Sequence, residues 1–138
     1  MENNDKFRNF GLGFVIFGIF ILLTSVILVG DYEYADSEDN VIESTTTVEI
    51  IDFVFPVVFG ALFLIGGFFI LKEQQIGVYL IWVGCFLGPV NEGISPILLG
   101  LNPPVDTMLF TVVTNLILAY LATMPFRESK QLPINQLG

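Results

Sequence analysis

Four long apolar segments, separated by short polar stretches, organise this chain. Residues 10–29, 53–71 and 107–126 carry no charged side chain, and 76–90 form a shorter apolar run. About twenty helical residues, at about 1.5 Å each, cross a hydrocarbon core of about 30 Å. The third run reaches that length only if it continues through Asn91 and Glu92 towards Ile97. Because the segments are apolar on every face, they predict transmembrane helices.

The pattern predicts a single membrane domain, an all-α antiparallel bundle of four transmembrane helices. The cytoplasmic N-terminus is 1–9, the turn between the second and third spans is 72–75, and the cytoplasmic tail is 127–138. The predicted spans are 10–30, 52–71, 76–96 and 105–126, and the outer loops are 31–51 and 97–104.

The first outer loop is acidic and contains a β-branched stretch at 41–50. Such residues favour extended structure over helix. A small β-hairpin with its turn at 36–40 is therefore one alternative for this loop, although an isolated hairpin is marginal in water.

Charge fixes the predicted orientation. The sequence is 54% hydrophobic and 14% charged, whereas soluble domains have about 25% charged residues. With four spans, the five basic residues share one side, and ten of the fourteen acidic residues lie on the other. Basic residues near span ends mark the cytoplasmic face. Both termini are therefore predicted to be cytoplasmic, and the protein to be a multi-pass protein of the cell (plasma) membrane. The basic residues are Lys6, Arg8, Lys72, Arg127 and Lys130.

Small residues recur at helical spacing along the spans, and such residues let membrane helices approach closely. On the fourth span, Asn115 is expected to share a small, polar face with Thr107, Thr111, Thr114 and Ala122. The interpretation preferred for Asn115 is an interhelical hydrogen bond, and the alternative is a pathway or ligand contact. The predicted packing residues are Gly11, Gly18, Ser25, Gly60, Gly67, Gly77, Gly84, Gly88 and Asn115.

Prolines are expected to shape the spans. Pro56 should lie in the first turns of the second helix, where proline is tolerated. The third span is expected to kink at Pro89 and to end near 92–95, which leaves 97–101 at the outer interface or slightly re-entrant. The fourth is expected to end at Pro125.

Missing residue types limit the chemistry. The chain has no histidine and a single cysteine, Cys85, which excludes imidazole ligation and an iron–sulfur cluster held by this chain alone. No phosphate-binding loop or nucleophile elbow is present, and the few basic residues do not support nucleic-acid binding. We therefore predict no catalytic or cofactor-binding residue and no enzyme activity by this chain alone. Bound lipids are the expected small-molecule partners.

Four polar residues at the outer span ends, Asp52, Asn91, Glu92 and Asp106, could converge into one acidic mouth. Clustered carboxylates attract cations and can bind calcium. The alternative is that each is a solvated helix end, with Asp52 and Asp106 complementing helix dipoles. No metal site is predicted beyond this weak cluster. Glu92 stands out because an ionisable group inside an apolar run is a functional hypothesis.

The acidic loop supplies candidate partner contacts, although a charge run is often only solvated surface. These candidates are Asp31, Tyr32, Glu33, Tyr34, Asp36, Glu38 and Asp39.

The favoured function is a non-catalytic accessory or structural subunit of a larger integral-membrane complex, such as a membrane oxidoreductase or another energy-converting assembly. Its expected partners are the bilayer and other integral-membrane subunits, with a homo-oligomer as the alternative. Two other functions stay open. One is a small oligomeric transporter or cation channel with an acidic outer mouth, and the other is an assembly or sensor protein that uses the outer loop.

Overall fold

Four long helices make up most of the computed structural model, which describes residues 2–27, 34–35, 38, 40–43 and 45–131. Each helix contains a stretch that is long and apolar enough to cross a membrane, as the sequence predicted. Between the first two helices, strands β1 (Tyr34–Ala35) and β2 (Val41–Ile42) pair in antiparallel fashion. The helices are α1 (Glu2–Ile27), α2 (Thr46–Leu71), α3 (Ile76–Leu98) and α4 (Val105–Gln131).

Consecutive helices pack side by side and antiparallel, because contacts that move forward along one helix move backward along the next. From α1 to α2, Gly11 faces Leu71 while Gly18 faces Gly60. Between α3 and α4 the ladder is Trp82 with Ala119, Gly88 with Asn115 and Glu92 with Thr111. The bundle thus has a terminal end, where α1 starts and α4 finishes, and a loop end, where α1 finishes and α2 starts.

Glycine brings the first three helices into backbone contact. A Cβ built on Gly11 would lie 2.8 Å from the Leu71 amide nitrogen, and one on Gly67 would lie 2.7 Å from the Gly11 carbonyl oxygen. Gly66 and Gly77 make the equivalent contact between α2 and α3. Close backbone approach allows membrane helices to associate when lipid offers no hydrophobic contrast. These contacts form the glycine seam, defined here as Gly11, Gly18, Gly60, Gly66, Gly67 and Gly77.

Helix α4 is held mainly by α3. Its contacts with α1 are sparse, although Phe7 and Phe126 stack edge-to-face with ring centroids 4.8 Å apart at the terminal end. Within its membrane-length stretch 11% of residues are buried, against 28% for α2 and 33% for α3. The bundle is therefore tightest along α1, α2 and α3, and loosest around α4.

Two Schellman turns end α2 and α3. After α2, the Gln74 amide donates to the Phe69 carbonyl while Glu73 adopts a left-handed conformation with φ of 58°. After α3, the Leu101 amide donates to the Pro96 carbonyl around Gly100, whose φ is 73°. A left-handed residue lets the chain reverse while it satisfies the last helical carbonyls.

The extended structure expected for 41–50 is wrong over 46–50, because α2 already begins at Thr46. The Thr45 hydroxyl accepts a 3.4 Å hydrogen bond from the Val48 amide, so Thr45 caps the helix. Val48 is fully buried. Capping and burial outweigh the weak strand preference of β-branched residues. The early start also places Pro56 inside α2 rather than in its first turns.

Proline ends neither α3 nor α4 where expected. Helix α3 continues through Pro89 and Pro96 to Leu98, and α4 continues through Pro125 to Gln131. An internal proline removes one helical hydrogen bond, but neighbouring groups in a membrane helix can compensate for it. The predicted end near 92–95 is therefore wrong, and Ile97 and Leu98 are the last helical residues of α3 rather than a re-entrant segment.

Candidate functional site

Two side-chain hydrogen bonds join α2, α3 and α4 near the loop end. The Ser95 hydroxyl donates to Asp52 Oδ1 over 2.6 Å, and these residues are 2% and 8% exposed. One turn away, the Thr111 hydroxyl donates to Glu92 Oε1 over 2.7 Å. Helix α3 presents both partners because Glu92 and Ser95 are three residues apart and share one face.

The second oxygen of Glu92 has a different environment. Glu92 Oε2 and Asn91 Oδ1 are buried, and neither has a hydrogen-bond partner among the described residues. Residue 96 is proline, so the Glu92 main-chain carbonyl also lacks its usual helical donor. Buried polar groups are almost always paired, so these two neighbouring side-chain acceptors are candidates for contact with a ligand.

The Asn91 and Glu92 residues also line a cavity of about 210 Å³ to which all four helices contribute. Ile21 comes from α1, Phe55 and Phe59 from α2, and Asn115 from α4. Among the described residues that line the cavity, Glu92 alone has an ionisable side chain. The polar groups of the lining are therefore one carboxylate (Glu92), two amides (Asn91 and Asn115) and one hydroxyl (Thr111). The other lining residues are apolar or aromatic.

A second, apolar groove of about 370 Å³ lies between α3 and α4. Trp82, Phe86 and Leu116 line it, and the Trp82 indole donates to the Ala119 carbonyl over 3.1 Å. Asn115, which is 7% exposed, borders both the groove and the polar cavity. This amide is thus shared by two neighbouring sites at mid-helix depth.

The three candidate acidic residues have different surroundings. Asp52 bonds to Ser95, Glu92 lines the cavity, and Asp106 is exposed at the start of α4. No group of three carboxylates, thiols or imidazoles suited to a metal ion occurs in the part of the chain that the structure describes.

The structure places most predicted packing residues between helices. Gly11, Gly18, Gly60, Gly67, Gly77, Gly84 and Gly88 each have a neighbouring helix within 4 Å of a built Cβ. The Ser25 hydroxyl instead donates to the Ile21 carbonyl of its own helix. On α4, Asn115 and Ala122 are buried but Thr107 and Thr114 are exposed, so the expected polar face does not point inward as a unit.

Most of the predicted partner contacts lie outside the described residues. Of the seven, the structure describes Tyr34, which belongs to β1, and Glu38, which is an exposed turn residue. Asp31, Tyr32, Glu33, Asp36 and Asp39 are not among them.

Sequence reasoning missed Ser95 and Gly66. Ser95 lies three residues after Glu92 and four after Asn91, and that helical spacing is the signal that would have found it. Gly66 was hidden beside Gly67, because two adjacent glycines face different neighbours.

Comparison with protein-family models, curated proteins and solved structures gives no match. The fold therefore defines the class of the protein: a helical bundle whose four long apolar helices are suited to a membrane.

Proposed function

We propose that this chain is a non-catalytic subunit of a larger integral-membrane assembly. The observation that carries this proposal is the groove between α3 and α4, with the Asn115 amide at its border. Lipid tails offer an amide no hydrogen bond, whereas a neighbouring helix does, and polar side chains join membrane helices in this way. A transmembrane helix of a partner subunit would cover the groove and the least buried of the four helices.

The proposed orientation places both termini in the cytoplasm and the loop end outside. Arg8, Lys72 and Arg127 then lie at the cytoplasmic face, in keeping with the distribution of basic residues in membrane proteins. Asp52, Glu92 and Asp106 lie towards the other face.

Site-specific photo-crosslinking tests the proposal. A photoreactive amino acid replaces Leu116, which lines the groove and is 64% exposed. The matched control replaces Leu12, which is 48% exposed on α1. We expect position 116, and not position 12, to crosslink a different membrane protein in native membranes. Crosslinks to a second copy of this chain, or to lipid alone, would contradict the proposal.

A second candidate function, a small transporter or cation channel that works as an oligomer, is favoured by the polar cavity. Glu92 has a buried, unpaired carboxylate oxygen, and such groups in membrane helices commonly mark ion pathways. Liposomes that contain the purified chain should then conduct cations, and Glu92→Gln should abolish the flux without lowering the amount of inserted protein.

A further inference from the structure

We propose that the cavity between the four helices is a binding site for one monovalent metal cation. Glu92 Oε2 and Asn91 Oδ1 are the primary ligands, and Asn115 and Thr111 complete the polar lining. This inference goes beyond the proposed subunit function, because it concerns a ligand held by this chain alone, and it rests on the same Glu92 carboxylate as the second candidate function.

The unpaired atoms define what the ligand must supply. Both are acceptors, and the Thr111 hydroxyl already donates to the other Glu92 oxygen. Leaving a buried acceptor without a partner costs about 1–3 kcal/mol. The missing partner is therefore a cation or a donor.

Charge favours a cation over a neutral donor. In the part of the chain that the structure describes, no basic residue lines the cavity. Lys72 precedes the start of α3, and Arg127 lies sixteen residues after Thr111 on α4. At about 1.5 Å per residue, these two charges are roughly 24 Å from Glu92 and Thr111 along the helices. Glu92 is half-buried and its Oε2 atom is shielded from water. A shielded carboxylate oxygen without an opposite charge is disfavoured, and a bound cation supplies that charge.

The number of carboxylates sets the valence. Glu92 is the only ionisable residue in the lining, and Asp52 is hydrogen-bonded to Ser95 and does not line the cavity. A divalent ion would keep one uncompensated positive charge against Phe55 and Phe59, in a region of low dielectric. Oxygen ligands suit hard cations. One carboxylate with amide oxygens therefore matches Na⁺ or a similar monovalent ion better than Ca²⁺ or Zn²⁺.

Radioactive ²²Na⁺ binding to the full chain in lipid nanodiscs tests the site. We expect saturable binding of one Na⁺ per chain, competed by unlabelled Na⁺ and not by a bulky organic cation. Glu92→Gln should abolish it. The matched control is Glu49→Gln, an exposed carboxylate in the first turn of α2, and it should bind normally. Absence of saturable binding in the unmodified chain, or equal binding in Glu92→Gln, would overturn the proposal.

Two substitutions of Asn91 keep the test independent of any folding defect in Glu92→Gln. Asn91→Ala removes one oxygen ligand and should weaken Na⁺ binding about tenfold. Asn91→Asp adds a second carboxylate, so its site should acquire Ca²⁺ binding that the unmodified chain lacks. Circular dichroism and thermal unfolding verify that each variant is folded. Unchanged Na⁺ affinity in a folded Asn91→Ala variant would overturn the assignment of Asn91. Because these measurements use the isolated chain, their failure is distinct from a failure to find partner subunits.

Discussion

The terminal half and the loop half of the bundle are held together by different chemistry. Towards the terminal end, Gly11, Gly67 and Gly77 bring backbones into direct contact. Towards the loop end, the contacts are hydrogen bonds between side chains, from Ser95 to Asp52 and from Thr111 to Glu92. Both solutions suit a membrane, where apolar burial does not drive helix association.

The difference separates stability from binding capacity. Backbone contact at glycine leaves no space between helices, as in the close-packed interior of any protein. The polar cavity lies in the loop half, beside Glu92 and its hydrogen bond to Thr111. The glycine seam therefore fixes the arrangement of α1, α2 and α3, and the loop half can accommodate a ligand.

The largest expected effect comes from enlarging a glycine of the seam. Gly11→Leu places side-chain atoms where a Cβ alone would be 2.8 Å from the Leu71 amide nitrogen and 2.9 Å from the Gly67 carbonyl oxygen. We expect a loss of about 3 kcal/mol in the free energy of unfolding in detergent, because neither backbone can yield.

The control lies two residues away on the same helix. Gly13 has nothing within 4 Å of a built Cβ, so Gly13→Leu should change the free energy of unfolding by less than about 0.5 kcal/mol. Equal losses at Gly11 and Gly13 would show that the seam does not hold α1 to α2.

In the loop half, the strongest expected effect is at Ser95. Ser95→Ala removes the 2.6 Å hydrogen bond to Asp52, both partners being buried, and should cost about 2 kcal/mol. Ser25→Ala is the matched substitution, because that hydroxyl donates only to the Ile21 carbonyl of its own helix, and it should cost less than about 0.5 kcal/mol. Thermal unfolding of both variants measures the two losses in stability. Equal losses would show that the hydrogen bond from Ser95 to Asp52 contributes nothing.

The number of helices and much of the seam could be predicted, because they depend on local properties. Apolar length reveals a spanning helix whatever its neighbours do, and small residues at spacings of seven and four pointed to Gly11, Gly18, Gly60 and Gly67. The positions where the helices begin and end were harder to predict from the sequence. The start of α2 depends on the Thr45 cap and on burial of Val48, and burial is a tertiary effect. The helix ends predicted from the prolines were wrong, because the loss of a single hydrogen bond does not end a well-packed helix.

The polar site was only half accessible to sequence reasoning. Glu92 was conspicuous because it is charged and follows an apolar run. The different surroundings of Glu92, Asp52 and Asp106 depend on how α2, α3 and α4 are rotated against one another. The amino-acid sequence alone does not give that rotation. The pairing of Asp52 with Ser95 is likewise a contact between residues far apart in the chain.

Thr111→Val should have a smaller effect than Ser95→Ala, although it also removes a hydrogen bond to a carboxylate. Glu92 borders the cavity, where water can replace the lost donor, whereas Asp52 is 8% exposed. We expect a loss of about 1 kcal/mol. Thr114→Val is the control, since that hydroxyl donates to the Phe110 carbonyl of its own helix. A loss at Thr111 as large as that at Ser95 would mean that water does not reach the Glu92 bond more readily than the Asp52 bond.

The smallest expected effects concern the two Schellman turns, one at each end of the bundle. Glu73 adopts a left-handed φ of 58° after α2, and Gly100 one of 73° after α3. The left-handed region costs a side-chain-bearing residue about 1 kcal/mol, and glycine avoids that cost. Gly100→Ala should therefore destabilise the loop end by about 1 kcal/mol. No atom of the described residues lies within 4 Å of the added Cβ, so only the backbone is strained. Glu73→Gly should stabilise the terminal end by about 0.5 kcal/mol, since glycine also loses more backbone entropy on folding. Thermal unfolding in one detergent measures both, and shifts of the same sign would show that backbone strain does not distinguish the two turns.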